Sequence, residues 1–255
     1  MEKINLTKML AVLILLLPNI LTAATLVVGP GDSLRDAIDA AMSGDTILIE
    51  TNDTILESNV VDKTLTIAAG EGFTPVLKGT TTQALSARPR FGTGGFFFTE
   101  TVVLTIDGLT VEGLGAISGQ SEEFHTGLVI RNSIIKSGLF FRGFGTTSRA
   151  LVEIDIIDST IEGVISTDGA GMYEFDLTVL RSRIDGGLGL NGGGDNKITA
   201  SIYESTIAGS IFSDFLRDNA TSSVAVKNST IGGIRALLTP DPVSYTHLRA
   251  PRDRG

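Results

Sequence analysis

Apolar positions in the second half of the chain fall into columns fixed to one short polar phrase. The phrase reads Asn132-Ser133-Ile134-Ile135, Asp158-Ser159-Thr160-Ile161, Arg181-Ser182-Arg183-Ile184, Glu204-Ser205-Thr206-Ile207 and Asn228-Ser229-Thr230-Ile231. Gly108-Leu109-Thr110-Val111 is a looser first copy. With Leu109, Ser133, Ser159, Ser182, Ser205 and Ser229 as anchors, the gaps are 24, 26, 23, 23 and 24 residues. Three residues before each anchor stand Ile106, Ile130, Ile156, Val179, Ile202 and Val226. Five before stand Leu104, Leu128, Ile154, Leu177, Ala200 and Val224. Two apolar columns two residues apart form one face of a strand.

A third column, Val111, Ile135, Ile161, Ile184, Ile207 and Ile231, lies two residues after the anchors. The step from minus three to plus two is odd, so a strand running straight through the anchor would point that column outward. A bend at the phrase restores the inward direction, and Asn, Asp and Ser suit such bends because their side chains bond the local backbone. Gly113, Gly138, Gly163, Gly186, Gly209 and Gly233 follow near plus four and mark a second bend. Each repeat therefore reads as strand, bend, strand, bend, strand, and none carries a helical period. Leucine-rich repeats need a different spacing, and hexapeptide coils need a six-residue period. The pattern predicts an all-β fold, a parallel β-helix whose turns stack at roughly 4.8 Å and bury a core that no single repeat could bury alone. The serine and threonine columns at the bends are expected to be structural, their stacked hydroxyls satisfying one another and the turns.

The amino end has a different pattern. Lys3 and Lys8 precede an apolar run from Met9 to Leu17, then Pro18 and the small residues Thr22-Ala23-Ala24. Nine apolar residues fall short of the ~20 needed to span a bilayer. Residues 1–24 are therefore expected to be a cleaved signal peptide, which places the remainder outside the cell or on its surface. Thr25-Leu26-Val27-Val28 predicts a strand and Gly29-Pro30-Gly31-Asp32 a turn. Ser33-Leu34-Arg35-Asp36 has the form of a capping box, with Asp36 reaching back. Leu34, Ala37, Ile38 and Ala41 at helical spacing predict a short helix that plugs the open end of the coil.

These residues carry a resemblance. Pro30-Gly31-Asp32-Ser33-Leu34, the Ala37–Ala41 helix, Gly44-Asp45-Thr46-Ile47, Lys63-Thr64-Leu65-Thr66-Ile67 and Ile106-Asp107-Gly108-Leu109-Thr110-Val111 resemble the cap and rung phrases of the pectin-lyase-like, right-handed β-helix superfamily. The resemblance covers residues 25–242 and implies a right-handed coil. It also implies an activity class, since the superfamily contains polysaccharide lyases and hydrolases. The hydrolase strings Asn-Thr-Asp, Asp-Asp, His-Gly and Arg-Ile-Lys are missing from the rungs, and His125 is followed by Thr126.

Outside the repeats, Val76-Leu77 and Phe96-Phe97-Phe98 read as strands, and residues 80–95 as a loop leaving the coil. Residues 145–148 and 192–196 read as shorter loops. Residues 243–255 break the repeat. Val243 to Ala250 looks like a translated sequencing adapter, so 25–242 is expected to be the β-helix, cut short at its carboxyl end. The tail 243–255 is then non-native and without ladder pairing.

The formal charge is −9. Residues 1–24 contribute net +1 and residues 243–255 net +2, which leaves −12 on the module between them. Such a module does not seek nucleic acid or anionic membranes. The chain has no cysteine, so it offers neither disulfides nor thiolate metal ligands.

Candidate chemistry sits on the outward positions of the first strand. Glu153, Asp155 and Asp176 fall together, and Arg131 lies one rung away. Carboxylate oxygens on adjacent rungs suit Ca²⁺. The resemblance implies that Arg131 would serve as the base of a lyase. The competing reading is a solvated acidic face. His125, beside Glu122 and Glu123, is expected in an inter-rung loop as a surface residue, and Tyr203 as an exposed aromatic. Two functions stay open on this reading: a secreted or cell-surface module for adhesion or polysaccharide contact, without cofactor, and a Ca²⁺-using polysaccharide lyase.

Overall fold

Every strand pairing among the described residues is parallel, and three strands from each turn of chain stack on those of the next. The computed structural model describes residues 23–80, 84–87, 101–114, 117–119, 123–192, 196–215, 221–236 and 244–246. One helix, α1 (Leu34–Ala40), accompanies the strands. Among the described residues no helix is long and apolar enough to cross a membrane. The fold is a parallel β-solenoid.

The first strands run Thr25–Val28, Thr46–Ile49, Leu65–Ala69, Thr101–Asp107, Glu123–Arg131, residues 151–157, residues 174–180, Lys197–Tyr203 and Thr221–Lys227. Their register keeps each expected column intact: Ile106, Ile130, Ile156, Val179, Ile202 and Val226 are successive partners. All six are buried, as are their partners five before the anchor. The plus-two column is buried from Val111 to Ile207, and Ile231 packs against it half-buried. Phe141 and Phe175 pack together in the core with ring centroids 5.4 Å apart and planes tilted by 55°.

The bend at the phrase is a single left-handed residue. Gly108, Asn132, Asp158, Arg181, Glu204 and Asn228 all have φ between +45° and +71°. One residue in this conformation reverses the in–out alternation, which is why the odd step works. It also breaks the backbone ladder, and the serine column repairs the break. The N–H groups of Leu109, Ser133, Ser159, Ser182 and Ser205 donate to the hydroxyls of Ser133, Ser159, Ser182, Ser205 and Ser229 over 3.0–3.1 Å. Each hydroxyl in turn donates to the carbonyl two residues before it, as Ser182 does to Leu180 at 2.8 Å. Contrary to the expectation from sequence, the serine hydroxyls do not bond one another; they accept from N–H groups that the bend would otherwise orphan, and they add a second donor to carbonyls already in the backbone ladder.

The second bend is built by close approach. A Cβ placed on Gly163 would lie 2.2 Å from the Gly138 nitrogen, and one on Gly186 would lie 2.4 Å from the Gly163 carbonyl carbon. Backbone stacks on backbone here, and only glycine leaves the room.

The cap forms the expected short helix with Ser33 at its amino end. Ser33 accepts from the Asp36 N–H at 3.2 Å, while the Arg35 N–H goes to Glu57 at 2.8 Å. Lys63 Nζ donates to the Ile38 and Ala41 carbonyls at 3.0 and 2.9 Å, placing a cation at the helix carboxyl end, where the dipole favours it. Leu34, Ile38 and Ala41 join the core.

Several local expectations need correction. Residues 84–87 are not part of a departing loop: Leu85–Ala87 pairs with Asn59–Val61, and Ala84 and Leu85 are buried. Residues 145–148 fall within the strand Leu139–Ile157 but have no register partner there, so the expected excursion is a bulge between Phe144 and Arg149 and not a separate loop. The tail is not free of ladder pairing: Ser244–Thr246 pairs with residues 223–225. The edge of the last turn offers unpaired backbone groups, and an extended Ser-Tyr-Thr segment satisfies them whatever its origin. Phe96-Phe97-Phe98 and most of residues 192–196 lie outside the described residues.

Candidate functional site

Two outward faces of the coil carry side chains suited to chemistry or binding. The first belongs to the first strands. Here Glu153 is in register with Asp176 on the next turn, and Asp155 follows two residues along the same strand. Arg131 lies one turn back, in register with Asp107 and Ile157. The neighbourhood expected from sequence is therefore present.

Its partners differ from that expectation. Arg131 forms an ion pair with Asp107 at 3.2 Å, and Asn132 donates to the same carboxylate at 2.9 Å. Glu153 receives a hydrogen bond from His125 Nε2 at 2.5 Å. Among the described residues no three carboxylate or imidazole side chains converge closely enough to hold a metal ion. Two carboxylates on this face are paired with cations, Asp107 with Arg131 and Glu174 with Lys197. Lys197 binds Glu174, which raises the lysine's pKa, with the charge of Asp176 a lesser cause. On the left-handed corner, Arg181 forms two 2.7 Å bonds to Asp158, holding that carboxyl below the ordinary aspartate value.

His125 is the residue that sequence reasoning misplaced. It lies in the strand Glu123–Arg131, in register with Thr101 and Leu151, and not in a loop. The signal was available: extending the outward columns by one more step, to eight before the anchor, puts His125 next to Glu153 on the following turn. In this turn the position seven before the anchor holds Thr126 where other turns hold Val102, Val152, Phe175 and Ile198, so the strand looked shorter than it is. Tyr203 stands half-buried on the outer face, in register with Leu180 and Lys227.

The second face belongs to the third strands. Phe140, Ser166, Gly189 and Phe212 are successive register partners pointing outward. Phe140 is 57% exposed. A Cβ on Gly189 would lie 2.5 Å from the ring tip of Phe212 and 3.3 Å from the Ser166 hydroxyl. The Phe212 ring thus lies against a glycine, beside a hydroxyl.

Comparison with protein-family models, with curated proteins and with solved structures finds no match to this chain. The functional reading therefore rests on the two faces themselves.

Proposed function

We propose that the chain is a secreted or cell-surface module that contacts polysaccharide through the outside of a right-handed coil of the pectin-lyase-like kind. The observation that carries this reading is the row Phe140, Ser166, Gly189, Phe212. Phe140 and Phe212 stand on strands three turns apart, about 14 Å, and the Phe212 ring folds back over Gly189 toward the Ser166 hydroxyl. Exposed aromatic rings offer flat apolar surface to the C–H face of a pyranose, and the hydroxyl between them offers polar contact. A linear glycan laid along the coil axis would meet both rings. Right-handed coiling is supported by the strong general bias of parallel crossovers. Secretion is supported by the charged start and short apolar run of residues 1–24.

The second reading is a Ca²⁺-dependent lyase with Arg131 as base and Glu153, Asp155 and Asp176 as ligands. The register of Glu153 with Asp176 favours it, while the Arg131–Asp107 pair and the Glu153–His125 bond work against it.

Affinity electrophoresis of the purified chain in gels containing neutral or uronate polysaccharides tests the first reading. Retention by at least one polymer, lost in Phe140→Ala/Phe212→Ala with an unchanged melting temperature, is expected. Equal retention of the double variant, or none by any polymer, would overturn it. Ca²⁺-dependent appearance of unsaturated uronate ends would favour the lyase instead.

A further inference from the structure

The outward face of the first strands contains a hydroxyl, an imidazole and a carboxylate in one hydrogen-bonded line. Thr101 Oγ1 lies 3.4 Å from His125 Nδ1, and His125 Nε2 lies 2.5 Å from Glu153 Oε2. The three come from three successive turns, so no local turn chemistry requires them to meet. Thr64 pins the start of the Thr101 strand: its hydroxyl donates to the Thr101 carbonyl at 3.3 Å and accepts from the Val103 N–H at 3.1 Å. Gly127 occupies the outward position between Val103 and Glu153, and the Val103 side chain leans over it, 3.0 Å from where a Cβ would stand.

When Glu153 is ionised and the imidazole neutral, His125 carries its proton on Nε2 and donates it to Glu153, because an ionised carboxylate only accepts. Nδ1 then presents a lone pair, and the Thr101 hydroxyl is the group that can donate to it. This is the division of labour that activates a hydroxyl nucleophile: a base in reach of the O–H, and an acid that orients the base and stabilises its cation.

We propose that Thr101 and His125 form an acyl-transfer site, positioned by Glu153, that hydrolyses carboxylic esters of exposed alcohols. Thr101 Oγ1 attacks the ester carbonyl carbon while its proton passes to His125 Nδ1. The carbonyl–alkoxy bond breaks, and the leaving alkoxide takes that proton from the imidazolium. Water then attacks the acyl-threonine, giving one proton to Nδ1; the acid leaves, and the proton returns to Thr101. The face is open to solvent, so transition-state charge gains little from a low-dielectric surrounding and turnover is slow. The proposal is independent of the glycan face, which is formed by the third strands.

The test uses the full chain and p-nitrophenyl acetate, with mass spectrometry of the quenched protein. A positioned base contributes about 10²–10⁴-fold. Wild type should show acetyl on the peptide containing Thr101, and Thr101→Ala should lose at least about tenfold in kcat/KM. Thr101→Ser should retain activity. Glu153→Gln should lower kcat more than KM, with partial recovery in Glu153→Asp. Thr101 is exposed, so its variants should melt like wild type, and they keep the test valid if His125→Ala misfolds. Undiminished hydrolysis by Thr101→Ala, or acetyl found only on histidine or lysine, would overturn the proposal, because surface imidazoles and amines react with this ester unaided.

Discussion

The backbone N–H of Ser159 donates to the hydroxyl of Ser182, one turn further along the coil, over 3.0 Å. The contact recurs along the serine column and joins the turns at the point where the left-handed corner interrupts the ladder. Removing the Ser182 hydroxyl leaves the Ser159 N–H buried and unpaired. Ser182→Ala should therefore cost about 1–3 kcal/mol, read from urea unfolding. A loss within error of zero would mean that water replaces the hydroxyl.

The corner itself is under strain wherever a long side chain occupies it. Glu204 sits at φ +50°, and asparagine takes the same corner at 132 and 228. Left-handed backbone costs an ordinary residue about 1–2 kcal/mol, and asparagine is among the residues that visit it most readily. Glu204→Asn should raise stability by up to about 1 kcal/mol, measured by the same unfolding curve. The lost charge attraction to Arg181 is exposed and offsets only a little of this.

At the second bend, a methyl on Gly186 would collide with the Gly163 carbonyl carbon at 2.4 Å and the Val164 nitrogen at 2.5 Å. These are backbone atoms held by stacking, so they cannot swing aside. Gly186→Ala should lose about 3 kcal/mol or fail to fold, whereas Gly72→Ala meets no atom nearby and costs only the strain of φ +82°. Circular dichroism melts of the two variants separate steric from conformational cost.

Asp45 links the amino end to the cap. Its carboxylate accepts from the Ala24 and Met42 N–H groups, each at 2.7 Å, and these bonds hold its pKa below the ordinary aspartate value, with the Met42 bond the larger cause. A carboxyl with a lowered folded-state pKa stabilises the fold above its unfolded value, about 3.9, and loses that contribution as pH falls through the folded value. The wild type should thus lose stability on acidification below about pH 4 more steeply than Asp45→Asn. Parallel acid limbs for the two proteins would contradict this.

How much could be read from the sequence depends on how locally each feature is encoded. The columns at Ile106, Ile130 and Ile156 were legible because burial repeats with every turn. The corner at Ser133 was legible as a bend, but its hydrogen-bond direction was not, since a hydroxyl can donate or accept and only the stacking decides. His125 and Leu85 were misread because pairing with a neighbouring turn, and not local pattern, makes both extended: Leu85–Ala87 is a separate short strand on Asn59–Val61, and Thr126 interrupts the apolar column beside His125. Ser244–Thr246 was misread because an unpaired strand edge recruits any suitable segment.

Parallel stacking in this register is directly measurable, because the chain has no cysteine of its own. Ser201 and Ala225 are register partners facing outward on successive turns. Adjacent strands about 4.8 Å apart bring their Cα atoms within the range a disulfide spans. Ser201→Cys/Ala225→Cys should cross-link under mild oxidation, seen as a mobility shift reversed by reductant. Ser201→Cys/Lys227→Cys, displaced by two residues on the same face, should cross-link far more slowly. Equal rates for the two pairs, or faster closure of the second, would contradict the stacked coil.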